Sequence, residues 1–173
     1  MKKIQVVKMF DDAQLPRRAN ATDSGLDICM HNVKRVYTNS GGNGEREVTD
    51  DTQLKKLLSD DKSLVLPFGW RALVGTGLKA TVGEGYEIQV RPRSGLALKK
   101  GLTVLNTPGT IDESFRDEIS IILINMSRAS QEIKFGERIA QLVVAPVELV
   151  EVEVVDELKG NDRKGGFGST DNA

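Results

Sequence analysis

The chain has 173 residues and a net charge of −1, a length that suits one domain with its own hydrophobic core. A chain so close to neutral lacks the basic field that binds duplex nucleic acid non-specifically, so we expect no direct nucleic-acid binding, and any phosphate site must come from a local cluster of cations. One cysteine and one histidine exclude an internal disulfide, most zinc sites and histidine-based catalytic triads.

Short runs of β-type residues separated by turn residues dominate the chain in sequence order. Several runs alternate apolar and polar residues as half-buried strands do, most clearly Tyr86–Val90 and Val150–Val154. Many short strands with few helices predict an all-β sandwich or jelly roll. The predicted strands are Ile4–Lys8, Gly25–Met30, Val33–Tyr37, Arg71–Val74, Tyr86–Val90, Ile119–Asn125, Ile139–Val144 and Val147–Val155.

Two segments are predicted to be helical. Asp51–Ser59 places three leucines on one face. It lies within a polar stretch, residues 38–62, that we interpret as an insertion between two strands. The insertion is either a solvated excursion of the surface or an element that binds a protein partner. The second helix, Ser94–Lys100, is one or two turns long.

No stretch of the sequence approaches the length of a membrane span. The apolar run that begins at Ile4 ends at Lys8 and the acidic pair Asp11 and Asp12, so it does not read as a signal peptide. We therefore expect a soluble, cytoplasmic protein without membrane contact. In such a setting Cys29, within an apolar run, is expected to be a small buried hydrophobe.

Gly75–Ala80 fits the glycine pattern of a dinucleotide-binding turn. That motif requires a helix to begin at the glycines, whereas here a second turn, Val82–Gly85, follows at once. We therefore interpret both segments as turns between strands.

Two segments carry candidate groups for binding phosphate and metal. In Arg91–Gly95 a proline between two arginines fixes the backbone direction, and the segment opens a helix, as anion sites commonly do. In Ala21–Ile28 two carboxylates, Asp23 and Asp27, bracket a glycine. A single carboxylate there either caps a turn or contacts a hydrated Mg²⁺ that the substrate phosphates hold.

Three further segments complete the set of candidates. The turn-rich hairpin Asn106–Arg116 offers backbone groups that can read a base edge, with Asp112 either a base for a water molecule or a turn cap. Gly136–Leu142 leads a strand with an arginine and a glutamine. The tail Gly160–Ala173 is rich in glycine and has one aromatic residue, Phe167, which could stack on a base.

These segments resemble, in order, the five motifs of the trimeric dUTPases: Ala21–Ile28, Arg91–Lys99, Asn106–Arg116, Gly136–Leu142 and Gly165–Thr170. The resemblance implies a distorted jelly-roll β-barrel over residues 1–158 and a flexible arm over residues 159–173 that closes the active site. It also implies a homotrimer with active sites at subunit interfaces. The implied reaction is the Mg²⁺-assisted hydrolysis of dUTP to dUMP and pyrophosphate, which keeps uracil out of DNA and supplies dUMP for thymidylate synthesis.

The resemblance also implies a role for each matched residue. Asp112 would deprotonate the water that attacks the α-phosphorus, and Asp27 would contact Mg²⁺ through water. Arg93, Ser94, Gly95 and Gln141 would hold the phosphates, and Arg138 would brace the site. Asn106, Gly109, Thr110 and Ile111 would read uracil, and Phe115 would stack on the deoxyribose. Arg163, Phe167, Gly168 and Ser169 of the tail would close over the substrate.

The chain departs from the family pattern at three places. Phe115 stands where tyrosine is usual, and Asp117 where glycine is common. The tail arginine normally precedes Gly-Phe-Gly by four residues, a position that Asp162 occupies here, so either Arg163 or Lys164 would reach the γ-phosphate. Two alternative functions remain: a dCTP deaminase-type relative, and a dUTPase-fold protein with a regulatory partner bound through residues 38–62.

Overall fold

The computed structural model describes residues 3–38, 47–49, 51–59 and 62–161. Thirteen strands and two short helices lie within these residues. In chain order they are β1 (Gln5–Lys8), β2 (Leu26–Cys29), β3 (Asn32–Tyr37), α1 (Asp51–Leu57), β4 (Leu58–Ser59), β5 (Ser63–Leu66), β6 (Arg71–Gly75), β7 (Leu78–Thr81), β8 (Tyr86–Arg91), α2 (Ser94–Lys100), β9 (Leu102–Val104), β10 (Gly109–Ile111), β11 (Ser120–Asn125), β12 (Gln131–Lys134) and β13 (Arg138–Pro146).

The strands form four small antiparallel sheets around one hydrophobic core. Two sheets have four strands, in the orders β10-β8-β13-β2 and β3-β6-β11-β9, and the others have the orders β12-β5-β4 and β1-β7. Successive side chains of a strand point to opposite faces of its sheet, so every second side chain can pack into the core. Ile88 and Leu142 from one four-stranded sheet and Val74 and Leu123 from the other belong to the same buried cluster. The prediction of an all-β, jelly-roll-like fold is confirmed.

The glycine segment Gly75–Ala80 is a turn between strands, as predicted. Strand β6 ends at Gly75 and β7 begins at Leu78. Gly77, between them, has a φ of 71°, a left-handed conformation that glycine adopts without steric cost. A dinucleotide-binding helix at this place is therefore excluded.

Helix α2 has the bounds that the sequence predicts. Its buried residue is Leu96, and the helix stops at Gly101, whose φ of 63° allows its N–H group to cap the carbonyl of Ala97 at 3.0 Å. The helix is short because the chain must turn back into β9. Its first residue, Ser94, directly follows Arg93, so the start of the helix fixes the position of the Arg93 backbone.

The predicted inserted helix is shorter than expected, because α1 ends at Leu57 and the next two residues pair with β5 as strand β4. The leucine face packs inward: Leu57 is buried in the core, and Leu54 and Leu58 pack against it. Val48 is also buried, and its N–H group donates to the carbonyl of Val36 at 2.8 Å. The apolar face of the described part of the insertion thus packs against the core of its own chain. Partner binding through residues 38–62 stays a prediction. Residues 39–46, 50, 60 and 61 lie outside the described residues.

The prediction of a strand over Val147–Val155 is wrong for the isolated chain. Strand β13 ends at Pro146, and the N–H group of Val147 makes one further bond, to the carbonyl of Gly85 at 3.0 Å. Beyond it the valines at 150, 152 and 154 are exposed, Val154 by 95%. Alternation predicts a half-buried strand, but a strand forms only against a partner, and within the described residues none pairs with this segment.

Neither of the two helices in the described part of the chain has the length and apolar character that crossing a membrane requires.

Candidate active site

The outward face of the sheet β10-β8-β13-β2 carries the predicted site residues Asp27 and Gln141 side by side. Strand register places Asp27 of β2 opposite Gln141 of β13, and Gln141 opposite Arg91 of β8. The neighbouring residues Leu26, Ile28, Val90 and Leu142 are buried, so alternation directs Asp27, Gln141 and Arg91 away from the core. One row across three strands therefore presents polar groups on one surface.

Asp27 lies at the centre of a cluster with two arginines. Arg93 Nε donates to Asp27 Oδ1 at 2.8 Å, and Arg138 Nη1 donates to Asp27 Oδ2 at 2.9 Å. Arg93 Nη1 also donates to the carbonyl oxygen of Arg138 at 3.1 Å. The side chain of Asp27 is only 14% exposed, against 25% for Arg93 and 42% for Arg138. Two guanidinium groups share one carboxylate, so the cluster keeps a net positive charge.

An open pocket of about 360 Å³ lies beside this cluster. Its wall includes the start of α2, where the first N–H groups of a helix have no partner within the helix. Arginine N–H groups and such backbone N–H groups are what a phosphate binds. The lining residues are Ala19, Asp23, Ser24, Gly25, Asp27, Arg93, Ser94, Gly95 and Gln141.

The two carboxylates of the first motif have different roles in the structure. Asp23 closes a turn, because its Oδ2 accepts from the N–H group of Asn20 at 2.7 Å and its carbonyl accepts from Arg18 Nε at 2.7 Å. Asp27 instead pairs with the arginines. Turn capping is thus the role of Asp23 in the structure, and contact to a hydrated Mg²⁺ stays a prediction for Asp27.

Gln141 ties β13 to the segment before α2. Its Nε2 donates to the carbonyl oxygen of Pro92 at 2.9 Å, and its side chain lies across Gly25. The sequence pattern indicated that Pro92 fixes the backbone direction, but it indicated no role for Gly25. The signal that was available was the glycine between the two carboxylates, a place where a neighbouring group comes close to the backbone.

Asp112 lies elsewhere on the same face. It follows β10 directly and is exposed at a separate groove of about 230 Å³, whose lining includes Tyr86, Glu87 and Leu149. Its backbone carbonyl accepts from the N–H group of Phe115 at 3.1 Å, which closes the turn that holds the carboxylate. The bond that closes this turn uses the backbone carbonyl of Asp112, and the residue is exposed to solvent.

The segment Asn106–Arg116 is not a hairpin in the structure, because β10 pairs with β8 whereas β9 and β11 belong to the other four-stranded sheet. Gly109, Thr110 and Ile111 form β10 against β8, and a β-carbon at Gly109 would lie 3.3 Å from Nδ2 of Asn106. The amide of Asn106 thus lies close to the backbone of β10, beside the groups that are predicted to read the base. Phe115 is 36% exposed beyond the turn.

The two halves of the predicted site are far apart in one chain. Ile111 pairs with Ile88, so Asp112 lies beside Glu87, four residues along β8 from the row that contains Asp27. Four residues of strand cover about 14 Å and the three strand spacings from β10 to β2 cover about 14 Å at right angles, so Asp27 and Asp112 lie on the order of 20 Å apart. Neighbouring phosphate groups of one nucleotide cannot bridge that separation.

The predicted residues thus fall into three sets. The structure brings together Asp27, Arg93, Ser94, Gly95, Arg138 and Gln141. It places Asn106, Gly109, Thr110, Ile111, Asp112 and Phe115 in a second group. Arg163, Phe167, Gly168 and Ser169, with the alternative Lys164, lie outside the described residues.

The donor set at the first group fits Mg²⁺ in one particular mode. Within the described ranges no three His, Cys, Asp or Glu side chains converge, so they form no all-protein metal cage. Mg²⁺ keeps much of its water and commonly binds through one or two carboxylates plus substrate phosphates. Asp27 is a carboxylate beside arginines that suit phosphates, so the residues fit an ion that a nucleotide triphosphate brings with it.

Another pocket, of about 400 Å³, lies behind Cys29 and His31. Burial raises the pKa of the Cys29 thiol against the opposing effect of Arg17 and Arg138, and the thiol lies 3.4 Å from Oε1 of Gln14. Since the thiolate is the nucleophilic form, this cysteine is poorly suited to covalent chemistry. His31 stacks on Phe10 with ring centroids 4.6 Å apart. The sequence-based expectation of a buried, hydrophobic cysteine is confirmed.

The fold and the pocket together define an all-β protein with an arginine-lined pocket beside one sheet. A family model described as dUTPase matches residues 58–171. A deoxyuridine 5'-triphosphate nucleotidohydrolase of Hydrogenobaculum sp. is 45% identical over 170 residues, 97% of both chains, and one of Wolinella succinogenes is 42% identical over 97% of this chain and 93% of the relative. The chain therefore belongs to the dUTPase family.

Solved structures show the same fold. The dUTPase of Staphylococcus bacteriophage 80alpha, in a mutant solved with dUpNHpp, has a TM-score of 0.71 at 22% identity and covers 98% of this chain and 99% of its own. A mutant dUTPase of phage phi11 of S. aureus, whose structure concerns the coordination of a structural Mg(II) ion, has a TM-score of 0.66 at 21% identity, over 91% of this chain and 99% of its own. At these identities the likeness shows the fold alone.

Proposed function

We propose that this chain hydrolyses dUTP to dUMP and pyrophosphate. The observation that carries the proposal is a match of 45% identity over nearly the whole length of a deoxyuridine 5'-triphosphate nucleotidohydrolase, in a chain whose motif residues Asp27, Arg93 and Arg138 meet at one pocket. The reaction lowers the dUTP available for DNA synthesis and provides dUMP for thymidylate synthesis. We place it in the cytoplasm as part of the same proposal.

The pocket beside Asp27 binds the phosphates in this proposal. Arg93 and Arg138 neutralise charge, the backbone N–H groups of Ser94 and Gly95 and the Ser94 hydroxyl donate hydrogen bonds to the phosphate oxygens, and Gln141 lies at the edge. Asp27 would hold Mg²⁺ through water. The ion supplies charge neutralisation as the phosphoanhydride breaks, the main requirement of phosphoryl transfer besides in-line positioning.

Asp112 serves as the base. Its exposed carboxylate accepts a proton from a water molecule as the water oxygen bonds to the α-phosphorus. The bond between the α-phosphorus and the bridging oxygen then breaks, and its electron pair leaves with pyrophosphate. The turn that the N–H group of Phe115 closes keeps the carboxylate in place for this step.

The edge strand β10 and the residues beside it recognise the base and sugar in this proposal. Uracil and cytosine exchange donor and acceptor at one edge, so a rigid backbone edge at Gly109–Ile111 with the amide of Asn106 leaves cytosine unpaired. Sites of that kind discriminate by roughly 10⁴-fold or more. Phe115 stacks on the deoxyribose without the hydroxyl that a tyrosine would add.

A complete site requires two chains. The base-reading half with Asp112 and the phosphate half with Asp27 are about 20 Å apart in one chain by strand geometry, too far for one nucleotide. In a homotrimer each chain has two interfaces. If the chain contributes its Asp112 half at one interface and its Asp27 half at the other, the assembly has three equal sites. The exposed, alternating segment Val150–Val154 supports association, since it exposes valines that a partner would cover. The arm 159–173, with Phe167, then closes over the substrate.

The experiment that tests the reaction is pyrophosphate release from dUTP and from the four common deoxynucleoside triphosphates. We expect release from dUTP alone. Ammonia released from dCTP would instead establish the deaminase alternative, and no turnover of dUTP would overturn the proposal.

Mixed assemblies test the two-chain site. Chains with Asp112→Asn and chains with Asp27→Asn, each impaired alone, are unfolded, mixed in equal amounts and refolded together. Random pairing in a closed ring restores roughly a quarter of the sites with both halves intact. Activity that does not rise above the separately refolded variants would contradict a shared site.

A further inference from the structure

The space above Gly25 is filled by a side chain from another strand. A β-carbon at Gly25 would lie 2.9 Å from Cδ of Gln141, 3.2 Å from its Cβ, and closer still to its Oε1. The φ of Gly25 is outside the left-handed region, so the backbone conformation itself does not call for glycine. The glycine is needed because Gln141 occupies that space.

Gln141 uses this space to reach the segment before α2. Its Nε2 donates to the carbonyl oxygen of Pro92 at 2.9 Å, and Pro92 is the residue directly before Arg93. Proline already fixes its own φ, and the bond from Gln141 restrains the carbonyl of Pro92, whose direction depends on ψ. The side chain of Arg93 is held independently, by Asp27 at 2.8 Å.

We propose that Gly25 and Gln141 form a latch that positions the turn Pro92–Gly95 before substrate arrives. Gly25 is the positioning residue: its missing side chain lets Gln141 cross the strand. Gln141 in turn fixes the carbonyl of Pro92, and with it the direction of the N–H groups that follow. The latch acts on the half of the site that would hold the pyrophosphate part of dUTP, and to that extent it rests on the proposed function.

The latch predicts that two substitutions share one effect. Gly25→Ala must displace the side chain of Gln141, and Gln141→Ala removes it, so each breaks the bond to Pro92. We expect each variant to bind inorganic pyrophosphate about tenfold more weakly, within the usual coupling range for contacting residues. The double variant should bind pyrophosphate no more weakly than Gln141→Ala alone. Binding of dUMP should change much less, because its uracil contacts lie on the other half of the site.

Each protein is titrated calorimetrically, as the intact chain, with pyrophosphate and with dUMP. Thermal unfolding without ligand is measured for the wild type, Gly25→Ala, Gln141→Ala and the double variant. Gln89→Ala is the matched control for the cycle. Gln89 lies on β8 and contacts Glu87 and Arg91, so its effect and that of Gly25→Ala should simply add. A variant Gly25→Ala that fails to fold while the double variant folds would also support the latch.

Several results would overturn the latch. They are wild-type pyrophosphate affinity in Gly25→Ala, additive losses in the double variant, or equal losses for dUMP and pyrophosphate. The unfolding cycle decides between coupled and independent residues without any ligand. If the wild-type chain released no pyrophosphate from dUTP, the proposed function would fail, and additivity in that cycle would still decide whether Gly25 and Gln141 are coupled.

Discussion

Replacing Asp27 with asparagine should separate the proposed contact to Mg²⁺ from the orientation of two arginines, which the structure shows. Asparagine has nearly the same shape but carries no charge, and its NH₂ group donates where the carboxylate accepted. One arginine therefore loses its acceptor and faces another donor. We expect Asp27→Asn to impair both folding stability and turnover.

The magnitude follows from the geometry of the two bonds. A hydrogen bond to a charged group contributes about 1.5–3 kcal/mol where it is shielded from water. The bond from Arg93, 25% exposed, should lie near the lower end of that range, whereas the bond from Arg138, 42% exposed, is weakened by solvent. Together they give a loss of about 2 kcal/mol in the free energy of unfolding, which for a domain of this size lowers the melting temperature by about 4–8 °C.

The assays are thermal unfolding and dUTP hydrolysis over a series of Mg²⁺ concentrations. If orientation of the arginines is part of the role, the rate of Asp27→Asn levels off well below the wild-type rate at saturating Mg²⁺. Asp23→Asn is the control, since Asp23 lines the same pocket but closes a turn, and among the described residues its carboxylate contacts no arginine guanidinium. Full recovery of the rate at high Mg²⁺, with an unchanged melting temperature, would refute the reasoning.

Four further outcomes are expected. Asp112→Asn should remove turnover and leave dUTP binding largely intact, because it removes charge and keeps shape; comparable turnover would exclude the base. Truncation after Gly160 should lower the turnover of dUTP far more than it lowers the melting temperature, and an undiminished rate would remove the arm from the mechanism. Leu57→Ala should lower the free energy of unfolding by about 2–5 kcal/mol in a denaturant titration, with a loss near zero arguing against a buried insertion. Burial alone would raise the pKa of the Glu118 carboxyl, but hydrogen bonds from Lys34 and from the backbone outweigh burial and hold that pKa below its ordinary value. The ionised carboxylate therefore stabilises the fold above about pH 4.3, and this stability is lost as the pH falls. Glu118→Gln should make acid unfolding depend less on pH in that range.

The fold could be predicted from local pattern wherever pattern and packing agree. Helix α2 has its predicted bounds because Leu96 turns inward and Gly101 ends the helix. The turns at Gly75–Ala80 were predictable because a helix could not begin before a second turn. In each case the deciding interaction lies within a few residues along the chain, where the sequence displays it directly.

Long-range contacts decided what local pattern could not. The alternation Val150–Val154 is typical of a strand, but whether a strand forms depends on a partner that the pattern does not contain. Asp51–Ser59 was expected to be helical to its end, yet Leu58 pairs with Leu64 on β5, which stops the helix. Side-chain pairing is equally hidden: nothing local to Asp27 indicates that its two oxygens accept from Arg93 and Arg138.

The split site and the exposed valines call for the same association. A chain that leaves Val150, Val152 and Val154 in water gives up favourable burial, at about 25 cal/mol for each Å² of apolar surface, that a second copy could recover. A chain whose Asp112 and Asp27 lie at opposite edges of one sheet cannot place both on one nucleotide. In the proposed homotrimer, association of identical chains would resolve both problems, because it would cover the apolar segment and bring the Asp112 of one chain to the arginines of the next. On this argument assembly is a requirement of the chemistry, and a monomeric form of the chain should bind pyrophosphate but not hydrolyse dUTP.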